Sequence, residues 1–221
     1  MKSIAHGIGT LLVMMAVTAS AQAANMEDIV RDTQRMSVQD GRVSLVWWIP
    51  VQFWEESLKA NAGVPEAMRT QITSVMGEYN VVALLRAVTG GGGLEDIQPR
   101  DELLKNTRVE IAGKAVEPLP AEQISPAASA LLSQLKPALM ASAGAVGQGM
   151  EFVVYPGKAD GKLLVDAAQP GAMAITFYGR SWQWRLPLGS LLPPKKDQKT
   201  GEEFPGNYQY NPFTGQKLDG K

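Results

Sequence analysis

Not one of the 221 residues is cysteine, so whatever this chain folds into is held together without a disulfide or a thiolate-bound metal. The N-terminus sharpens that constraint. Lys2 is followed by an apolar run from Ile8 to Val17 and then by Ala21-Gln22-Ala23, the A-x-A end of a secretory signal peptide. The run is about half of the roughly 20 apolar residues that cross hydrocarbon, so residues 1–23 read as a leader cleaved near Ala23 rather than as an anchor. The mature chain is then expected in the bacterial periplasm or the medium, with no transmembrane segment.

Cleavage removes Lys2 and His6, the one histidine, so 21 basic and 22 acidic residues become 20 and 22, a formal charge of −2. The mature chain then has neither imidazole nor thiol. Zinc, blue-copper, haem and iron–sulfur sites draw their ligands mainly from those groups. Ser-His-Asp and Cys-His catalysis need them as well. No cofactor and no metal is expected, and no catalytic residue is assigned. A balanced charge gives no field to attract a phosphate backbone, which argues against nucleic acid as partner. Stability must come from an apolar core, and a chain of about 198 residues can bury roughly 70% of its unfolded surface.

The pattern along the chain predicts a helix from Asn25 to Met36, with Asn25 as N-cap and Gly41 beyond its end. Arg42 to Ile49 (RVSLVWWI) is apolar on both faces from Leu45 onward and reads as a buried strand. Pro50 stops that strand and opens a helix over 51–60, because its fixed φ is already helical. A second helix runs from Pro65 to Gly77, with Val64, Met68, Ile72, Val75 and Met76 on one face. Tyr79 to Val88 is a strand, Gly90 to Gly93 a flexible connector, and Arg108 to Val116 a strand bent at Gly113. Ser125 caps a helix that begins at Pro126 and breaks or restarts at Lys136-Pro137. Met150 to Tyr155 is a strand, and Gly171 to Leu188 a hairpin folding back around Gly179. Paired helices between neighbouring strands predict an α+β domain over residues 24–192, with a mixed or antiparallel sheet.

After Leu192 the composition changes to Pro, Gly, Lys and Asn, which suits a polar tail or a small hairpin over 193–221. Within it, Asp197-Gln198-Lys199-Thr200-Gly201 and Asn211-Pro212-Phe213-Thr214-Gly215 repeat one form. The spacing resembles a zinc ribbon, whose two Cys-x-x-Cys-Gly knuckles hold one metal. Asp197, Thr200, Asn211 and Thr214 stand where the four thiolates would be. The resemblance implies that the metal is lost and the knuckles survive as turns, with Asp197 and Asn211 bonding backbone N–H groups and the glycines at positive φ. The alternative is two unrelated turns in a flexible tail.

Trp47, Trp48, Phe53 and Trp54 lie within eight residues, and Trp182 and Trp184 share a strand face with Tyr178 and Arg180. Trp47, Trp48, Trp54, Tyr178, Arg180, Trp182 and Trp184 are the candidate ligand or partner surface. The competing reading places the rings in the core, which aromatic side chains dominate energetically. Arg180 beside Trp182 can also form a cation–π contact.

Carboxylate chemistry is the remaining acid–base route, but Glu55/Glu56, Glu95/Asp96 and Asp101/Glu102 are adjacent in sequence and so point apart. Glu55 also sits four residues before Lys59, the spacing of a solvated helix pair. Ser133 and Lys136 match S-x-x-K, but against Pro137. Gly90 to Gly93 lacks the Gly-Lys-Ser/Thr of a phosphate loop. The sequence therefore points to a non-catalytic binding or interaction protein of the bacterial cell envelope, whose partner is an unidentified protein or envelope component. The alternatives are a carboxylate hydrolase acting on envelope glycan and a small-ligand carrier with its pocket beside the Trp47 to Trp54 region.

Overall fold

The computed structural model describes residues 20–218. Most of the expected leader, residues 1–19 with Lys2 and His6, lies outside the described residues; Ser20 to Ala23 begin the first helix. The order is α1 (Ser20–Thr33), β1 (Gln34–Gln39), β2 (Arg42–Ile49), α2 (Val51–Lys59), α3 (Glu66–Met76), β3 (Tyr79–Gly90), β4 (Gly93–Glu95), α4 (Arg100–Lys105), β5 (Thr107–Ile111), β6 (Lys114–Val116), α5 (Pro126–Ala143), α6 (Ala145–Gly149), β7 (Glu151–Pro156), β8 (Lys158–Ala159), β9 (Lys162–Leu163), β10 (Gly171–Phe177), β11 (Arg180–Leu186), β12 (Lys195–Lys196) and β13 (Glu203–Phe204). The α+β class expected from the sequence is what the chain adopts, and its strand pairings are antiparallel.

Two sheets and a helical layer stack. The first sheet runs β1-β2-β3, with β7 paired to the first half of β3 and β4 to its last residues. The second runs β11-β10-β5-β6. Strand alternation places the core on both faces of the first sheet. Val43, Leu45, Trp47 and Ile49 of β2 pack with Val81, Ala83 and Leu85 of β3 against Ile29, Phe53, Leu58, Met76, Leu131 and Leu135 from the helices. The intervening Val46, Trp48, Val82 and Leu84 face Val109, Ile111, Ile175, Phe177 and Trp184 of the second sheet. This double cover is why RVSLVWWI shows no polar face: Ser44 is its one small polar residue, and it is buried too.

Four expectations are corrected. The first helix ends at Thr33 instead of Met36, and Asn25 lies inside it. Residues 34–39 form β1, because Asp40 and Gly41, both at positive φ (50° and 71°), make a two-residue hairpin loop joining β1 to β2. The bend at Gly113 is likewise a complete hairpin, β5 to β6, and Gly90 to Gly93 closes the β3–β4 hairpin. Pro137 neither breaks nor restarts α5. Pro137 and Ser133, whose carbonyl loses its partner, are both exposed, so water can serve that carbonyl. Among the described residues no helix is long and apolar enough to cross a membrane.

Candidate functional site

The five candidate tryptophans are core, which corrects the exposed surface expected for them. Trp47, Trp48, Trp54, Trp182 and Trp184 are all buried. Trp47 packs edge-to-face on Phe53 at 5.3 Å, Phe53 does the same on Trp54 at 5.7 Å, and the Trp47 Nε1–H donates to Thr33 Oγ1 at 3.1 Å. In the Trp47 to Trp54 region, beside which the carrier reading puts its pocket, the rings pack on one another and on the helical-layer core. Trp48 and Trp184 meet edge-to-face at 6.1 Å between the sheets. Trp184 donates to the Asp32 carbonyl at 3.0 Å and lies under the Arg35 guanidinium at 5.1 Å. Tyr178 is half-buried at the β10–β11 turn, with Arg86 4.9 Å over its ring. Arg180 is exposed and sits 5.5 Å over Trp182, the cation–π pair that their spacing allowed. Two physical demands explain the outcome: each ring needs apolar cover, and the first sheet needs filling on both sides.

The carboxylate pairs are exposed or half-buried, and each has a member bound by a basic side chain or shifted by burial. Asp96 binds Arg42 at 3.3 Å, Glu102 binds Lys105 at 2.7 Å, and Lys59 pairs with Glu56 at 2.5 Å rather than with Glu55. Burial beside Asp166 and Glu56 lifts the Glu55 carboxyl above its usual range, with Lys59 partly opposing the shift. Ser133 donates to the Ser129 carbonyl at 2.7 Å, while Lys136 pairs with Glu151 at 2.9 Å, so they do not form a dyad. Among the described residues no group of three or more His, Cys, Asp or Glu is placed to hold a metal ion.

The tail builds a polar cluster on two turns. β12 and β13 pair across Asp197 to Glu202, and Tyr210 bridges to Lys217 across the second turn. The two turns repeat one another bond for bond. Asp197 Oδ1 accepts from the N–H groups of Lys199 (2.8 Å) and Thr200 (3.3 Å), and Thr200 Oγ1 accepts from Glu202 N–H (3.3 Å). Asn211 Oδ1 accepts from Phe213 (2.8 Å) and Thr214 (3.3 Å), and Thr214 Oγ1 from Gln216 (3.3 Å). Gly201 and Gly215 donate to the Asp197 and Asn211 carbonyls, each at 2.8 Å, with φ of 73° and 71°. The two turns are joined where their first side chains meet: Asn211 Nδ2–H donates to Asp197 Oδ2 at 2.6 Å, and both residues are buried. The Asn211 amide and the Lys199 N–H hold the Asp197 carboxyl below the usual aspartate range.

That shift has a sign. A carboxyl whose folded pKa is depressed contributes stability above its unfolded pKa and loses it as pH falls through the folded value. The Lys199 and Thr200 amide resonances are therefore expected to move with a midpoint below that of an ordinary aspartate. A midpoint above that in an NMR titration contradicts the bonding described.

Around these turns sits an aromatic group that the sequence reading passed over. Phe204 is buried, with Tyr208 stacked on it at 6.5 Å and Phe213 tilted against it at 6.4 Å. Tyr208 is 41%, Tyr210 56% and Phe213 81% exposed. The signal was available: FPGNYQYNPF carries four aromatics in ten residues of an otherwise polar segment. The tail is seated on the body through Gly206, whose N–H donates to the Gly189 carbonyl at 3.3 Å and whose missing Cβ makes room for Leu192 and Pro193. Comparison of the chain with protein-family models, with curated proteins and with solved structures finds no match.

Proposed function

We propose that this chain is a non-catalytic interaction protein of the bacterial cell envelope, with the tail hairpin as its recognition element. The observation that carries the reading is the exposure of Tyr208, Tyr210 and Phe213 beside two hydrogen-bonded turns, with Tyr208 and Phe213 both packed on Phe204. Large aromatic side chains on a stiff support are the usual anchors of protein recognition, because they bury much area for little lost rotamer freedom. A ring as exposed as Phe213 gives the fold little by itself and gains most by entering an apolar pocket on a partner protein. The A-x-A leader supports the envelope as the place of action.

We further propose that the hairpin is a zinc ribbon that has lost its metal. Support comes from the matched turns and from the Asn211–Asp197 bond in the position where four ligands would converge. At each of the four ligand positions one side-chain oxygen accepts from backbone N–H groups instead.

The test compares immobilised mature protein with its Tyr210→Ser/Phe213→Ser variant, both exposed to solubilised envelope proteins and, separately, to purified envelope glycan. Loss of two anchors at about 2 kcal/mol or more each removes at least a hundredfold of affinity, so a protein retained by the native chain should be absent from the variant. Equal retention by both chains overturns the reading, as does retention of glycan alone.

A further inference from the structure

β1 is the outermost strand of the first sheet, and its free edge lacks the devices that usually blunt one. It has no proline and no bulge, keeps regular register with β2 from Gln34↔Trp47 to Gln39↔Arg42, and carries one charge, Arg35. On the face it shares with the helical layer, Met36 is 63% and Val38 62% exposed. Which backbone groups point outward follows from the turn. The two-residue Asp40–Gly41 loop closes on a doubly hydrogen-bonded pair, Gln39 with Arg42, and bonded and unbonded pairs alternate from there. Gln39, Ser37 and Arg35 therefore bond inward to β2, while Val38, Met36 and Gln34 turn their N–H and C=O groups outward. The Gln34 carbonyl already has a partner, since Arg35 Nη1 donates to it at 2.9 Å. Among the described residues, the open groups are those of Met36 and Val38.

We propose that this edge is a dimerisation surface, on which β1 of a second copy of the chain pairs antiparallel about a twofold axis at Ser37. In that register Met36 exchanges both backbone bonds with the partner's Val38, and Val38 with the partner's Met36, so the open groups are used and none is left over. The apolar side chains then lie directly opposite one another. Arg35 faces the partner's Gln39, so no like charges meet. A register centred on Met36 is disfavoured, because it needs the Gln34 carbonyl that Arg35 occupies. One six-residue strand pair buries less than the roughly 1,200–2,000 Å² of stable interfaces, so the dimer is a weak one that forms with rising concentration. This inference is independent of the tail.

The absence of native cysteine makes a direct test available. At the twofold, Ser37 faces its own copy in a non-hydrogen-bonded pair, with Cα atoms about 4.5 Å apart, inside the roughly 4.4–6.8 Å range of disulfides. Under mild oxidation at about 100 µM, Ser37→Cys should form a covalent dimer at least about tenfold faster than Thr70→Cys, on an exposed turn of α3, because pairing raises the local thiol concentration. Adding Val38→Pro removes only an outward N–H, costs β1 no internal ladder bond, and should abolish the cross-link without lowering the melting temperature. The unmodified chain should shift from monomer to dimer in sedimentation equilibrium as concentration rises, with the Met36 and Val38 amides exchanging fast in dilute solution. The proposal is overturned by equal cross-linking of the two cysteines, by cross-linking that survives Val38→Pro, or by a monomer at every concentration. Protected Met36 and Val38 amides in dilute monomer overturn it as well, since the chain's own residues then cover the edge.

Discussion

Trp48→Ala is expected to lower the free energy of unfolding by about 3–5 kcal/mol, which at this chain length corresponds to a fall in Tm of roughly 6–20 °C. Trp48 is fully buried at the level where the two sheets face each other, edge-to-face with Trp184 at 6.1 Å. Its Nε1–H donates to Asn80 Oδ1 at 3.3 Å, and Asn80 Nδ2 in turn donates to the Pro156 carbonyl at 3.1 Å, tying β3 to the end of β7. Alanine leaves a cavity and also an unpaired buried oxygen. The surrounding wall is two hydrogen-bonded sheets rather than a mobile loop, so it collapses little into the gap. Urea denaturation followed by circular dichroism checks this. A free energy of unfolding lowered by less than about 1 kcal/mol at unchanged m would mean that the space between the sheets is less tightly filled than described.

The second large effect follows from the proposed loss of metal. Replacing Asp197, Thr200, Asn211 and Thr214 together by cysteine should create a site for one zinc ion, with four thiolates at about 2.3 Å in tetrahedral array. The backbone N–H groups that now bond the Asp197, Thr200, Asn211 and Thr214 oxygens are placed to bond thiolates instead. Structural zinc sites contribute up to about 10–16 kcal/mol of apparent binding energy at neutral pH, so the variant's Tm should rise with zinc and collapse with chelator. The native chain's Tm should respond to neither. Cobalt substitution reads the geometry directly through its thiolate charge-transfer absorption. A quadruple-cysteine variant that folds and binds no metal removes the zinc-ribbon reading, while the exposed aromatic cluster and its test stand apart from it.

Much of the fold was legible in the sequence because its elements rest on local rules. β2 was delimited by apolar residues on both sides and stopped by Pro50, and the two helices after it by proline at the start and a small residue at the end. β1 was missed because its apolar residues, Met36 and Val38, lie on an exposed edge, where burial sets no pattern; Asp40-Gly41 was the signal that outweighed it. Pro137 misled for a related reason. A proline removes one i→i−4 bond and crowds that carbonyl, but here the Ser133 carbonyl is on the exposed side, where water can replace the lost donor. The candidate site was half legible. The spacing of Asp197, Thr200, Asn211 and Thr214 gave the two turns, but nothing in one sequence tells that Asn211 reaches Asp197, because that bond depends on the register of the pairs flanking it. The tryptophans were the converse case, prominent in the sequence and spent entirely on the core.

The central claim is that Phe213 and its neighbours meet a protein in the envelope, and photo-cross-linking inside cells that make the chain tests it most directly. With a benzophenone amino acid in place of Phe213, illumination should give one discrete protein adduct, and the same probe in place of Gln183, exposed on the outer face of β11, should give none. No adduct at position 213, or the same adducts from both positions, would contradict the account.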